Sequence, residues 1–322
     1  MSNLLEKASI ITTPTAYSEG KLHSVKGGID ADFDFTRGSS ATRVNSQGLI
    51  ENVQILSGNL VQNGDFSQIG SELVTNGTFD TDSDWTLGTG ITISNGKANF
   101  TGNANTFLTQ SGVVSSGKTY KATFTVSNYV SGAIDINLGG STRRGNISAN
   151  GTYIFYITVT SGNILYFQED FSNGFVGSID NVSVKEVGQN WSFGTGWSMG
   201  DGVVSLNSPT GNLDQSLSTS SGSKYRVTFT ISNYVSGDVR WRFTGTSNEN
   251  GTLRSANGTY TEEITLTNNQ SVLRFPSTAG VMDIDNISII EITDDTNLPR
   301  IDYTGGTGHI LLEPQSTNVT TN

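Results

Sequence analysis

The chain contains no cysteine. That excludes a disulfide framework and any thiolate metal site, so stability has to come from packing. Charged residues make up only 15% of the 322 residues, and the balance is acidic, with a formal net charge of -11. Nucleic-acid binding needs a concentrated positive field, which this sequence does not have. No window approaches the run of about 18 apolar residues that spans a bilayer. The opening segment, MSNLLEKASIITTPTAY, lacks the basic and apolar regions of an ordinary export signal. The expectation is therefore no membrane insertion and no nucleic-acid partner. Only two histidines occur, His23 and His309. Neither neighbours a nucleophile motif, and no local carboxylate-pair motif stands out, so the protein is not expected to be an enzyme.

What is abundant points to strands. The 38 glycines, with many Ser, Thr and Asn, supply turns, and Thr, Val, Ile, Tyr and Phe supply extended segments. The central observation is a repeat: YKATFTVSNYVSG begins at Tyr120, and YRVTFTISNYVSG begins at Tyr225. The offset is close to the size of a whole β-sandwich and too long for a solenoid unit. Further matches keep it to within about two residues. Ala149-Asn150-Gly151-Thr152-Tyr153 answers to Ala256-Asn257-Gly258-Thr259-Tyr260, and Asp180-Asn181-Val182 to Asp285-Asn286-Ile287.

Period-two alternation places Tyr120, Ala122, Phe124 and Val126 inward, and Tyr225, Val227, Phe229 and Ile231 likewise. Outward positions differ between the copies: Asp135 and Asn137 become Arg240 and Arg242. Glu262 breaks the pattern where Phe155 stands. The expected fold is all-β, with two tandem jelly-roll sandwiches inserted in a small split frame. The first module covers 72–187 and the second 188–293. Residues 59–71 form a linker that partly repeats the first module's opening strand, and 1–58 with 294–322 form the frame. Trp85, Trp191, Trp197 and Trp241 are expected in the cores.

Three blocks carry a family resemblance. The segment from Asp34 to Glu51, the run Pro299-Arg300-Ile301-Asp302-Tyr303, and Leu311 to Asn318 together resemble a motif set of tailed-bacteriophage structural proteins. The resemblance implies a virion protein made in the host cytoplasm and contacting other virion proteins through the frame, with a trimer the favoured oligomer. The modules resemble jelly-roll carbohydrate-binding modules through Asn76, Gly77, Phe79 and Asp80 at the start and Asp180, Asn181 and Val182 at the end. That resemblance implies adhesion to host-surface or environmental glycans and a structural calcium in the first module, held by Asp80 and Asp180. Asp180 capping a turn is the alternative. The second module, opening at Gly188-Gln189-Asn190-Trp191, lacks the Asn-Gly-x-Phe motif and is a poorer calcium candidate.

Tyr129 and Tyr234, in the repeated turn, are either sugar platforms or packed turn residues. Arg143, Arg144, Arg240 and Arg242 are either contacts for acidic sugars or a solvated strand face. A purely structural spacer and a component of a glycan-degrading enzyme are the competing functions.

Overall fold

The computed structural model describes residues 49–294, apart from 142, 208–210 and 277–278, together with short strands in the flanks at Tyr17–Ser18, Lys21–Ser24, Ala31–Asp34, Thr42–Val44, Arg300–Asp302 and His309–Leu311. Every element among the described residues is a strand or turn, and no helix is long and apolar enough to cross a membrane. The frame motifs lie largely outside the described residues. Within them, the Arg300–Asp302 strand lies near Thr42–Val44, so the two flanks meet.

Two sandwiches follow one plan. In the first, a six-stranded sheet runs in the order Gly151–Thr158, Thr119–Gly132, Phe175–Val187, Lys97–Thr101, Ile91–Ser94, with Ile69–Glu72 also pairing to Phe175–Val187. It faces a five-stranded sheet ordered Arg144–Ile147, Ile134–Leu138, Leu165–Glu169, Phe107–Gln110, Thr86–Leu87. Strands consecutive in sequence repeatedly cross from one sheet to the other, which is jelly-roll wiring. In the second sandwich the six-stranded sheet contains Trp197–Met199, Val204–Asn207, Val281–Asp294, Lys224–Ser236 and Gly258–Thr265, with Ile55–Asn59 pairing to Val281–Asp294. Its partner sheet runs Ser192–Phe193, Asn212–Ser216, Gln270–Pro276, Arg242–Gly245, Glu249–Asn250.

The alternation read from sequence is the burial pattern observed. Tyr120, Ala122, Phe124 and Val126 are buried, and so are Tyr225, Val227, Phe229 and Ile231. Between them, outward threonines pair across strands at Thr125–Thr152 and Thr230–Thr259. All four tryptophans are buried. The break at Glu262 has a cause: its carboxylate accepts a hydrogen bond from Trp241 Nε1 at 3.0 Å, satisfying an indole where the first module has Ile136.

The expected linker needs correction. Ile55–Asn59 is a strand of the second sandwich, and Val61 and Phe66 sit in that sandwich's core. The second module therefore does have an Asn-Gly-x-Phe opening, Asn63-Gly64-Asp65-Phe66, delivered ahead of the first module. The contacts of the two openings match one by one. Trp191 Nε1 donates to the Asn63 carbonyl at 3.0 Å, as Trp85 Nε1 does to Asn76. Gln215 and the main chain of Gln62 exchange two hydrogen bonds, as Gln110 and Thr75 do. The rings of Phe66 and Trp191 lie 5.3 Å apart, and those of Phe79 and Trp85 5.1 Å. The first sandwich is thus inserted into the second, between Phe66 and Trp191, where the first has only the short loop from Phe79 to Trp85.

Candidate binding site

The motif that suggested calcium is an interlock of opening and closing segments. In both modules the closing Asp accepts its neighbour's main-chain N–H at 2.6 Å, Asn181 to Asp180 and Asn286 to Asp285. Asn181 and Asn286 both have φ 53°, a left-handed conformation that asparagine tolerates. The register of the closing strand shifts there, between Thr123 and Thr125 and between Thr228 and Thr230. The bulge that results exposes N–H groups: Val182 N–H donates to the Gly77 carbonyl at 2.9 Å, and Ile287 N–H to Gly64 at 2.8 Å. A Cβ at Gly77 or Gly64 would collide with the carbonyl oxygen of Val182 or Ile287. Glycine is required because the two backbones touch.

Asp80 is exposed and accepts from the Thr78 hydroxyl at 2.7 Å. Asp180 is engaged by both the main chain and the side chain of Asn181. No group of three or more His, Asp or Glu side chains among the described residues is placed to hold a metal, whereas calcium takes about six to eight oxygens. In the second module Asp285 is held above the usual carboxylate range, mainly by burial and also by the charge of Asp65.

Tyr129 and Tyr234, expected in a turn, lie instead within the strands Thr119–Gly132 and Lys224–Ser236, where the register shifts, and take the packed position. Tyr129 is half-buried against the first core, 6.2 Å from the Phe175 ring, and its hydroxyl donates to the Gly132 carbonyl. Tyr234 bonds Gly237 in the same way at 3.1 Å. Asn150 and Asn257 accept from the N–H of each tyrosine. The large exposed apolar residues of these strand ends are instead Val130 and Val235.

The arginines separate. Arg143 pairs with Asp135, with Nε 3.2 Å from its Oδ2, and its guanidinium lies 4.5 Å from the centre of the Phe171 ring. Phe171 is 58% exposed. It stands at the tip of the loop 170–174, which Asp170 shapes by accepting the N–H groups of Ser172 and Asn173 at 2.9 Å each. These main-chain bonds, first of all that from Ser172, hold the Asp170 carboxyl below its ordinary range. Beside the loop is a cleft of about 510 Å³ lined by Ser131, Gly132, Ala133, Asn146, Asp170 and Asn173. Asp135 also accepts the Asn146 N–H at 2.7 Å, tying the cleft wall to the arginine. Arg144 is exposed on the neighbouring edge strand. Arg240 and Arg242 lie on the second module, away from this cleft.

Sequence reasoning picked Arg143 and missed Phe171. The loop 170–174 has no matching run in the other copy, and that mismatch between two otherwise parallel modules was the available signal. On the same module's outward sheet face, Phe107 and Tyr166 form an edge-on ring pair at 6.5 Å. Such an arrangement offers an aromatic ring for stacking on C–H faces and amide and hydroxyl groups for hydrogen bonding.

No family model and no curated protein matches the chain. Among solved structures, it is similar to the N-terminal tandem CBM22 domain of Xyn10C from Paenibacillus barcinonensis, at 11% identity, covering 69% of this chain and 98% of that one, with a TM-score of 0.30. It is also similar to allantoicase from Saccharomyces cerevisiae, at 9% identity, covering 72% and 92%, with a TM-score of 0.29. Superpositions this loose carry no weight for function. The jelly-roll fold rests on strand order and register.

Proposed function

We propose that the protein is an adhesion component that holds a glycan on its first module, at the cleft beside Phe171. The observation behind this reading is one exposed aromatic ring, backed by a guanidinium that Asp135 fixes, on the loop whose Asp170 and Asn173 line a polar cleft. Arg143 presses on one side of the ring and most of the rest is open to a sugar's C–H face. Asn146, Asn173 and Ser131 supply donors and acceptors for hydroxyl groups. Placement on a tailed-phage virion, as a trimer held through the flanks, rests on the resemblance of the flanking motifs and completes the reading.

A glycan array with the full chain tests the binding half. Phe171→Ala is expected to weaken the best ligand by about 30-fold or more, as for a central aromatic contact, with an unchanged melting temperature. Absence of binding to every host-surface sugar leaves the spacer reading. For the placement, the protein should be found on purified particles by imaging, and light scattering should give three times the chain mass.

A further inference from the structure

The outward face of the second module's five-stranded sheet concentrates positive charge. Arg242 and Arg274 sit directly opposite each other on paired strands. Arg240 shares their face, because Val239, Trp241 and Phe243, which alternate with it and Arg242, are buried. Asp214, opposite Arg274 on its other side, bonds its guanidinium at 2.9 and 2.7 Å. Arg242 Nε donates to Asn250 Oδ1 at 2.7 Å, and Arg240 has no carboxylate partner among the described residues. Three guanidiniums thus share the face with Asp214 and, two residues before Arg240, Asp238, on a protein of net charge -11.

Like charges facing each other across strands are destabilising. Burial, followed by the charges of Arg240 and Arg274, holds the Arg242 guanidinium below its ordinary pKa. The fold itself does not demand this. The first module has Asp135, Asn137 and Tyr166 where the second has Arg240, Arg242 and Arg274, as the pairings Asn137 with Tyr166 and Arg242 with Arg274 show.

We propose that this face is a second binding surface that takes an acidic polysaccharide, its carboxylate or sulfate groups seated against Arg240 and Arg242 while Asp214 positions Arg274. Strands about 4.8 Å apart, and alternate residues about 6.6 Å apart along a strand, set the guanidiniums roughly a sugar ring's length from one another. Guanidinium forks match both anionic groups. A nucleic acid is disfavoured, because the side chains that alternate with Arg240, Arg242 and Arg274, among them Trp241, Phe243 and Phe275, are buried and leave no exposed ring of theirs for base stacking.

The inference extends the glycan-binding reading to a second face, and the two fail separately. Binding of the full chain to polygalacturonate, dextran sulfate, neutral dextran and single-stranded DNA is measured by affinity electrophoresis at low and high salt. Retardation by polygalacturonate or dextran sulfate is expected, weakening with salt and by about tenfold or more in the double variant R240Q/R242Q, but unchanged in Phe171→Ala. Whichever acidic polymer binds names the group recognised. Removing repelling charges should leave the melting temperature level or raised, so loss of binding would not reflect unfolding. Three results overturn the proposal: no retardation by either acidic polymer, equal retardation of the double variant, or stronger retardation by DNA.

Discussion

The two modules share strand order, core positions and turn chemistry, yet one is contiguous in sequence and the other is not. The first closes between Phe79 and Trp85 with a short exposed loop. The second spans the same step, Phe66 to Trp191, with an entire folded domain. An insertion is tolerated where the ends of a loop lie close together. The matched contacts of Phe66 and Trp191 show that the ends stay together here. The second module is accordingly the base of the molecule, and the first hangs from it by two crossings, at residues 67–68 and 187–190.

That difference predicts the largest effect. A fragment of residues 67–187 should fold cooperatively alone. A fragment of 188–294 should not, because it lacks the Ile55–Asn59 strand, Val61 and Phe66, and adding a 55–66 peptide should restore it. In the full chain, Phe66→Ala should cost about 3–5 kcal/mol in the second module's transition, and Phe79→Ala a similar amount in the first's. Scanning calorimetry and near-UV circular dichroism check this. A cooperative 188–294 fragment would break the comparison.

The next contrast is a buried acid. Glu169 is 0% exposed, accepts the Phe175 N–H at 2.8 Å with Oε2, and leaves Oε1 without a partner. Burial pushes its carboxyl up to about 7 against the lowering pull of that N–H. An acid raised in the folded state stabilises the fold below its unfolded value, near 4.5. The contribution is lost as pH rises through about 7, amounting to about 3 kcal/mol. Glu169→Gln should therefore stabilise the first module by about that much at pH 8 and leave it unchanged at pH 4. The second module's transition should stay put. Equal effects at both pH values would show that folding leaves the Glu169 carboxyl unshifted.

Much of this architecture was legible in the sequence. Period-two alternation gave the core of both long strands, because a half-buried strand leaves little freedom in which residues face inward. The nesting was partly visible: Asn59 to Phe66 matches Glu72 to Phe79, while the second copy had Trp191 without an opening motif of its own. In chain order the match precedes the first module, which hides the pairing of Ile55–Asn59 with the second module's closing strand. The binding candidates were harder, since exposed loop residues obey no period. Tyr129 drew attention by being repeated, and a repeated residue is what a shared scaffold preserves. Phe171 occurs once, in a loop shaped by Asp170, and only the fold brings it against Arg143.

A smaller effect comes from the substitution of Glu262 for Phe155. Phe155 stacks on Phe124 at 6.2 Å, whereas Glu262 takes the Trp241 indole, the Thr252 N–H at 3.1 Å and Arg254. Glu262→Ala should cost the second module about 2 kcal/mol by stranding the indole N–H and the guanidinium, and Glu262→Gln less, since an amide oxygen still accepts. A loss for Gln as large as that for Ala would mean that the negative charge opposite Arg254, and not the accepting oxygen, carries the contribution.

The smallest effect is expected at the junction. Lys121 Nζ and the Tyr156 hydroxyl of the first module both donate to Asp201 of the second, at 3.3 and 2.9 Å. The corresponding strands of the second module present Arg226 and Glu263 to Gln54, which precedes that module. The bonds from Tyr156 and Lys121 hold the Asp201 carboxyl below its ordinary range, but the group is open to water, where such pairs are screened. The junction has other supports. Val187 lies in the second core, Tyr156 packs against it, and the chain crosses twice. Asp201→Ala should therefore shift melting by no more than about 1 °C and leave the small-angle scattering profile unchanged. A changed profile with unchanged melting would instead make this exposed clasp the element that sets the angle between the modules, and with it the relative aim of the Phe171 cleft and the arginine face.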